Sequence, residues 1–159
     1  YVQTREEAEA AVAATRYPTA GIRGVAGGTR ASAYGRRKEY LTRASEEICL
    51  LVQVETAEAL ERIEDIASVD GVDGVFIGPS DLSASMGFIG KRDADEVHEA
   101  ISGAAKRLAA VGKASGILGT SLPEADRFIE YGYVFVAVGS DTGVLARGAD
   151  ELAARFKGK

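Results

Sequence analysis

Cysteine and histidine are almost absent from this sequence, and their scarcity excludes two kinds of structural feature. Among 159 residues there is one cysteine, Cys49, and one histidine, His98. A disulfide within the chain is therefore excluded, and so is a zinc site built from a cluster of cysteines and histidines. Cys49 stands in an apolar run, which predicts a small buried side chain and fits a reducing, cytoplasmic setting.

Long apolar stretches and an excess of positive charge are also lacking. No apolar run approaches the ~18 residues that a membrane span needs, so the sequence predicts no membrane partner. The formal net charge is −5, which argues against a nucleic-acid partner because nucleic acids bind basic surfaces. With three prolines and no Pro/Ser-rich linker, we expect a single domain over residues 1–159.

The sequence does contain a regular alternation of strand and helix patterns. Apolar runs predict four buried strands, at residues 49–55, 72–78, 115–118 and 134–138. Helical patterns surround them, at residues 4–15, 57–68, 95–111, 122–131 and 142–156. Val2 and Gln3 have the character of a strand end. Such alternation predicts an α/β fold with a parallel sheet and helices outside it.

The number of strand–helix units bears on the architecture. A complete (β/α)8 barrel needs ~250 residues, whereas about four and a half units are present and the first residue is Tyr1 rather than Met. Two architectures fit this count. One is a smaller open sheet. The other is the C-terminal part of a (β/α)8 TIM barrel, running from the end of strand 4 through strand 8 and the last helix.

Two acidic residues occur where apolar strands end, Glu55 after the first strand and Asp81 after the second. A carboxylate leaving an apolar strand requires solvent, a partner or a metal ion. Because successive parallel strands end at one edge of the sheet, these acids predict a shared divalent-cation site. The residues alone leave simpler roles open: Glu55 can be the first-turn acid of a helix, Asp81 a helix cap and Ser80 a turn residue.

Several further features carry weaker signals. His98 lies in the middle of a polar helical segment and is expected at the surface. Asp141 is expected to cap the last helix. Residues 86–90 form an apolar loop with two glycines, which is a candidate flap over a site. Residues 30–47 are polar and basic, with a helix in which Tyr34 is one of the expected anchors.

Specific motifs in this chain resemble the HpcH/HpaI aldolase family. The motifs are RYPTAGIRG at 16–24, LVQVE at 51–55, GVDGVFIGPSDLS at 71–83, SGIL at 115–118 and FVAVGSDT at 135–142. The resemblance extends over nearly the whole chain. It implies a metal-dependent (β/α)8 barrel that splits 2-oxo acids into pyruvate and an aldehyde. It also implies a homo-oligomer, a hexamer in which the last helix is exchanged between subunits.

The resemblance also implies roles for individual residues. Glu55 and Asp81 correspond to the metal ligands, with Mg²⁺ or Mn²⁺ expected and Co²⁺ as an alternative. Gln53, Ser80 and Asp81 correspond to residues that bind the 2-oxo acid, and Leu118 to a residue beside the aldehyde. A histidine base and an enolate-stabilising arginine come from early strands in the family.

Neither His98 nor Arg23 matches these two residues. The visible chain therefore carries the metal half of such a site without a general base of its own.

The expected function is that of a class II pyruvate aldolase, a carbon–carbon lyase acting through a metal-bound pyruvate enolate. Its expected substrates are 2-oxo-3-deoxy sugar acids, such as 2-dehydro-3-deoxyglucarate, or related 4-hydroxy-2-oxo acids. The metal route is favoured over a lysine Schiff base, because no lysine falls within a predicted strand. Two alternatives stay open: a non-catalytic module that binds metal and pyruvate, and an acyl-CoA lyase of a related barrel family.

Overall fold

The computed structural model describes residues 1–157. Within them the chain forms four strands and eight helices. The strands are β1 (Leu51–Val54), β2 (Gly74–Ile77), β3 (Ala114–Leu118) and β4 (Phe135–Ala137). The helices are α1 (Arg5–Thr15), α2 (Tyr40–Glu47), α3 (Ala57–Glu61), α4 (Ile63–Ala67), α5 (Pro79–Ser85), α6 (Asp95–Ala110), α7 (Leu122–Glu130) and α8 (Asp141–Phe156). None of the described helices is long and apolar enough to cross a membrane.

The four strands form one parallel sheet in the order β1-β2-β3-β4. Each strand is joined to the next through one or two helices, which confirms the predicted alternation. The N–H of Val2 donates to the carbonyl of Gln53 at 2.8 Å, so the start of the chain lies along the free edge of β1. This agrees with the strand character predicted for Val2 and Gln3.

One face of the sheet is covered by helices and forms the core. Val52, Val54, Val75, Ile77 and Ile117 are fully or almost fully buried on this face. They pack against the apolar sides of the helices, and the buried helix residues include Ile63, Ile66, Leu82, Ile101, Leu108 and Phe128. Because side chains alternate along a strand, the residues between them point to the opposite, open face. Gln53, one of the predicted site residues, is on that face.

Side-chain caps begin four of the helices and fix where the strand-to-helix turns occur. The Oγ atoms of Thr4, Thr56, Ser121 and Ser140 each accept a hydrogen bond from the backbone N–H three residues later. The prediction that Asp141 caps the last helix was wrong, because Ser140 is the cap. Asp141 is the first helical residue, and its carboxylate accepts from the N–H of Thr142 at 2.7 Å.

The helix predicted at 57–68 is divided into α3 and α4 at Arg62. Arg107 of α6 stabilises this division from outside the segment. Its Nη1 donates to the carbonyl of Leu60 at 2.8 Å, and its Nη2 to the carbonyl of Glu61 at 3.1 Å. The same guanidinium binds both carboxylate oxygens of Glu64. These bonds satisfy carbonyl groups that a continuous helix would have used internally.

Some burial predictions were wrong. The fourth strand was expected to be buried, but it is the edge strand and Phe135 is 53% exposed. Cys49 is exposed because it precedes Leu51, where the pairing of β1 with β2 begins. Tyr34 is no helix anchor: it lies outside α2, in a turn with φ of 57°, and is exposed.

Candidate functional site

The open face of the sheet carries matched rows of side chains. One row consists of Gln53, Phe76, Gly116 and Phe135, which are partners in the strand register. The rings of Phe76 and Phe135 meet edge to face, with centroids 6.0 Å apart. Gly116 makes this contact feasible, since a Cβ there would lie 2.7 Å from Phe76. The aromatic pair forms an apolar floor next to Gln53.

Glu55 lies one row closer to the carboxyl ends of the strands and is held in a defined position. The Nε2 of Gln53 donates to Oε2 of Glu55 at 2.6 Å. Gly78 follows β2 and is bound to β1 by its N–H, which donates to the carbonyl of Val54 at 3.0 Å. A Cβ on Gly78 would lie 2.4 Å from Oε2 of Glu55 and 2.8 Å from Nε2 of Gln53. The Glu55 carboxylate and the Gln53 amide therefore occupy the space that a side chain at position 78 would need.

Asp81 is presented from the next unit by the turn that follows β2. Gly78 is the N-cap residue of α5, Pro79 occupies its first turn, and Asp81 follows within that turn. Proline suits this place because its missing N–H is not needed there. Asp81 and Ser80 are exposed, and neither side chain makes a hydrogen bond or ion pair with any residue among 1–157.

These two carboxylates suit a hard divalent cation. Glu55 keeps one oxygen free of hydrogen bonds within residues 1–157, and the Asp81 carboxylate is entirely free there. Within the part of the chain that the structure describes, no group of three or more His, Cys, Asp or Glu residues could hold a metal. Mg²⁺ is commonly held by one or two carboxylates with water and substrate oxygens, which the Glu55–Asp81 pair fits.

Leu118 is positioned on the other side of Gly78. It ends β3, and by register it continues the row that contains Glu55 and Gly78 on the open face. It is partly exposed and lines a small cleft of about 200 Å³ together with Thr120 and Ser140. Leu118 on β3 is two strands away from the position of Glu55. Because adjacent strands are ~4.8 Å apart, the backbones of these two positions are roughly 10 Å apart, a distance that a small substrate can span.

His98 is more buried than predicted. The side chain is 13% exposed rather than on the surface, because it is packed between α6 and α7. Its Nε2 lies 2.9 Å from Nη1 of Arg127, and its Nδ1 lies 3.4 Å from the hydroxyl of Tyr131. These contacts assign His98 to helix packing.

Arg23 is likewise occupied elsewhere. Its guanidinium stacks on the rings of Tyr17 and Tyr40 and donates to the Tyr40 hydroxyl at 3.0 Å.

The described lysines also lie outside the site. None among residues 1–157 is on a strand, and Lys113 donates to the carbonyl of Val72 at 2.6 Å at the opposite end of the sheet. Lys159 lies outside the described residues.

Two residues of the site region were not predicted individually. Gly78 was part of the quoted motif, and the signal that could have identified it is a glycine between an apolar strand and a proline. Arg92 lines an open cleft of about 460 Å³ with Ser80 and Asp81. Its partner Glu124 is 32 positions further along the chain, so no local pattern could have revealed the pair.

Comparison with known proteins identifies relatives of the chain. The chain is 55% identical over 156 residues to a 4-hydroxy-2-oxo-heptane-1,7-dioate aldolase of Salmonella paratyphi C, covering 98% of this chain and 59% of the relative. The chain thus spans about three fifths of the length of this curated relative.

Two solved structures are similar to the chain over nearly its whole length. An HpcH/HpaI aldolase/citrate lyase family protein from Burkholderia cenocepacia superposes with a TM-score of 0.90 at 34% identity, over 99% of this chain and 63% of that one. An HpcH/HpaI aldolase from Desulfitobacterium hafniense gives a TM-score of 0.84 at 26% identity, over 99% and 62% of the two chains. The sequence model for HpcH/HpaI aldolase/citrate lyase matches residues 1–148. The chain belongs to the HpcH/HpaI aldolase/citrate lyase family.

Proposed function

We propose that the protein is a divalent-metal-dependent aldolase that cleaves 4-hydroxy-2-oxo acids to pyruvate and an aldehyde. The observation that carries this proposal is the pair of carboxylates, Glu55 and Asp81, on consecutive strand–helix units, each with oxygen that has no hydrogen-bond partner among residues 1–157. Family membership and the aldolase relatives at 55% identity support the reaction class.

Mg²⁺ or Mn²⁺ bound there would act as a Lewis acid towards the oxygens of the 2-oxo acid. The protein's contribution is to position the groups around it. Gln53 holds Glu55 through the 2.6 Å bond, which keeps one carboxylate oxygen directed away from the amide. The free hydroxyl of Ser80 can donate to the substrate carboxylate. Leu118 supplies an apolar contact on the aldehyde side.

The substrate is proposed from the relatives. Those at 54–55% identity are named 4-hydroxy-2-oxo-heptane-1,7-dioate aldolases, so the heptanedioate is the first substrate to test, ahead of 2-dehydro-3-deoxyglucarate. The assay measures pyruvate release from each acid, with and without a chelator. We expect release that stops when the metal is removed and returns when Mn²⁺ is added. Full activity after complete metal removal would refute the proposed mechanism.

A second candidate is a module that binds metal and pyruvate without turnover. It is favoured by the position of His98, the one histidine of the chain, which packs between α6 and α7 rather than beside Glu55 and Asp81. NMR detection of hydrogen–deuterium exchange at the pyruvate methyl group distinguishes the two. An aldolase with a working base exchanges these hydrogens, whereas a binding module leaves them at the background rate.

We also propose that the protein is a homo-oligomer assembled through α8. Its apolar residues are largely exposed, with Leu145 at 74%, Leu152 at 63% and Phe156 at 57%. Their spacing places them on one stripe of the helix, and an apolar stripe of this kind is typical of an interface. Light scattering of the Leu145→Asp and Leu152→Asp variants tests this. We expect a smaller species than the wild type, and an unchanged mass would exclude α8 as the contact.

A further inference from the structure

The cleft that Asp81 lines also contains a positively charged side chain. Arg92, from the segment between α5 and α6, lines the same cleft of about 460 Å³ as Ser80 and Asp81. Asp81 has no hydrogen-bond or ion-pair partner among residues 1–157. An arginine that shares a cleft with an unpaired carboxylate can bind it, since the two groups match in charge and shape. In this structure Arg92 is paired with another acid.

That acid is Glu124, near the start of α7. Its Oε1 lies 2.6 Å from Nη2 of Arg92, and the two side chains are 15% and 23% exposed. The other oxygen, Oε2, accepts from the N–H of Thr120 at 2.6 Å and from the Thr120 hydroxyl at 2.9 Å. Glu124 is therefore anchored at both oxygens, and Arg92 is held against a fixed partner. The Nε of Arg92 is buried and has no hydrogen-bond partner in the described part of the chain.

The consequence follows from the chemistry of arginine. A guanidinium does not lose its proton in proteins, so without Glu124 it would need another anion. Two carboxylates line the cleft, Asp81 and Asp93. Oδ1 of Asp93 lies 3.8 Å from Nε2 of His98, whereas Asp81 has no partner among residues 1–157. Asp81 is thus the main alternative partner, and an Asp81 bound to Arg92 is a poor ligand for a divalent cation.

We propose that Glu124 is a positioning residue that holds Arg92 away from Asp81 and so keeps Asp81 available to a divalent cation. This inference rests on the proposed function, in which Asp81 is a metal ligand. It assigns to Glu124 an effect on the metal site through Arg92, although Glu124 is not itself a ligand.

The test is a titration of the intact protein with Mn²⁺, following the free ion by electron paramagnetic resonance. Glu124→Gln keeps an oxygen for Thr120 but removes the charge that holds Arg92. We expect its Mn²⁺ affinity to fall about tenfold, the lower range for residues that surround metal ligands. The double variant Arg92→Met/Glu124→Gln should return to within about twofold of the wild type, because no guanidinium remains to compete.

A matched control is Glu64→Gln, which also removes the acid of an arginine–glutamate pair, but on α4 and outside this cleft. Its Mn²⁺ affinity should equal that of the wild type. Glu124→Asp keeps the charge and should lose less Mn²⁺ affinity than Glu124→Gln. It replaces Glu124→Gln in the titration if that variant folds poorly. Wild-type affinity in Glu124→Gln would overturn the inference, and so would a double variant as weak as the single one. A wild-type protein that binds no Mn²⁺ would overturn the proposed function itself.

Discussion

The Gly78→Ala variant is the most informative single change, because it adds one methyl group where the candidate metal ligand sits. The backbone of Gly78 has φ of −93° and ψ of 92°, which alanine adopts without strain. Any effect must therefore come from the new Cβ and its neighbours. That Cβ would lie 2.4 Å from Oε2 of Glu55 and 2.8 Å from both Cβ of Glu55 and Nε2 of Gln53.

These distances set the size of the effect. Contacts of a real Cβ essentially never fall under 3.0 Å, so the Glu55 carboxylate must move by at least about 0.6 Å. Its end is flexible and can rotate, but its Cβ is fixed to β1, so part of the strain remains in the sheet. Overpacking of this kind costs about 1–3 kcal/mol of folding free energy. Displacing the ligand and its Gln53 partner should weaken Mn²⁺ binding by about tenfold or more.

The assay combines urea unfolding with the Mn²⁺ titration. Gly103→Ala is the control, since it is also a glycine-to-alanine change but lies within α6, where the new Cβ meets no described atom within 4 Å apart from its chain neighbours and the backbone of its own helix. It should stabilise the protein by about 0.5–1 kcal/mol and leave Mn²⁺ affinity unchanged. A folded Gly78→Ala protein with wild-type Mn²⁺ affinity would refute the placement of the cation at Glu55.

Three further predictions concern stability and the aldehyde side. Burial raises the pKa of Tyr133 far above its usual range, and its hydroxyl donates to the carbonyl of Ile101 at 2.8 Å. Because Tyr133→Phe removes this hydrogen bond, it should lower the unfolding free energy measured in urea by about 1 kcal/mol. Mn²⁺ affinity should not change. Hydrogen bonds from Arg107 lower the pKa of Glu64, so their stabilisation is present above the unfolded pKa of about 4.3 and is lost as the pH falls through the folded pKa. Both side chains are more than a third exposed, so Glu64→Gln should cost under about 1 kcal/mol at pH 7 and nothing near pH 2; an equal loss at both pH values would contradict this origin. Leu118→Ala should raise KM for the aldehyde in the condensation direction by about tenfold with unchanged Mn²⁺ affinity, and an unchanged KM would remove Leu118 from the aldehyde side.

The order of strands and helices was predictable because it depends on local patterns. Strand character at 49–55 and 72–78 follows from short apolar runs, and the caps at Thr4 and Thr56 follow from residue type at a helix start. The approach of Gln53 to Glu55 also follows from sequence, since residues two apart on a strand share a face. These features need no information from distant parts of the chain.

Features that depend on distant residues could not be predicted. The division of the helix at Arg62 depends on Arg107, which lies more than 40 positions away along the chain. The restraint of Arg92 depends on Glu124 in the same way. An apolar pattern shows that a side chain can be buried but not what covers it, so the burial expected for Val138 was wrong, and this residue is 60% exposed.

The central claim is that Glu55 and Asp81 together bind one divalent cation, and Mn²⁺ titration of Glu55→Gln and Asp81→Asn tests it most directly. Both substitutions keep the shape of the side chain and remove its charge, so folding should be preserved. The wild type should bind one Mn²⁺ per chain, and each variant should bind it roughly 100-fold more weakly, because the charge of the oxygen ligands sets the affinity. Wild-type affinity in either variant would contradict the claim.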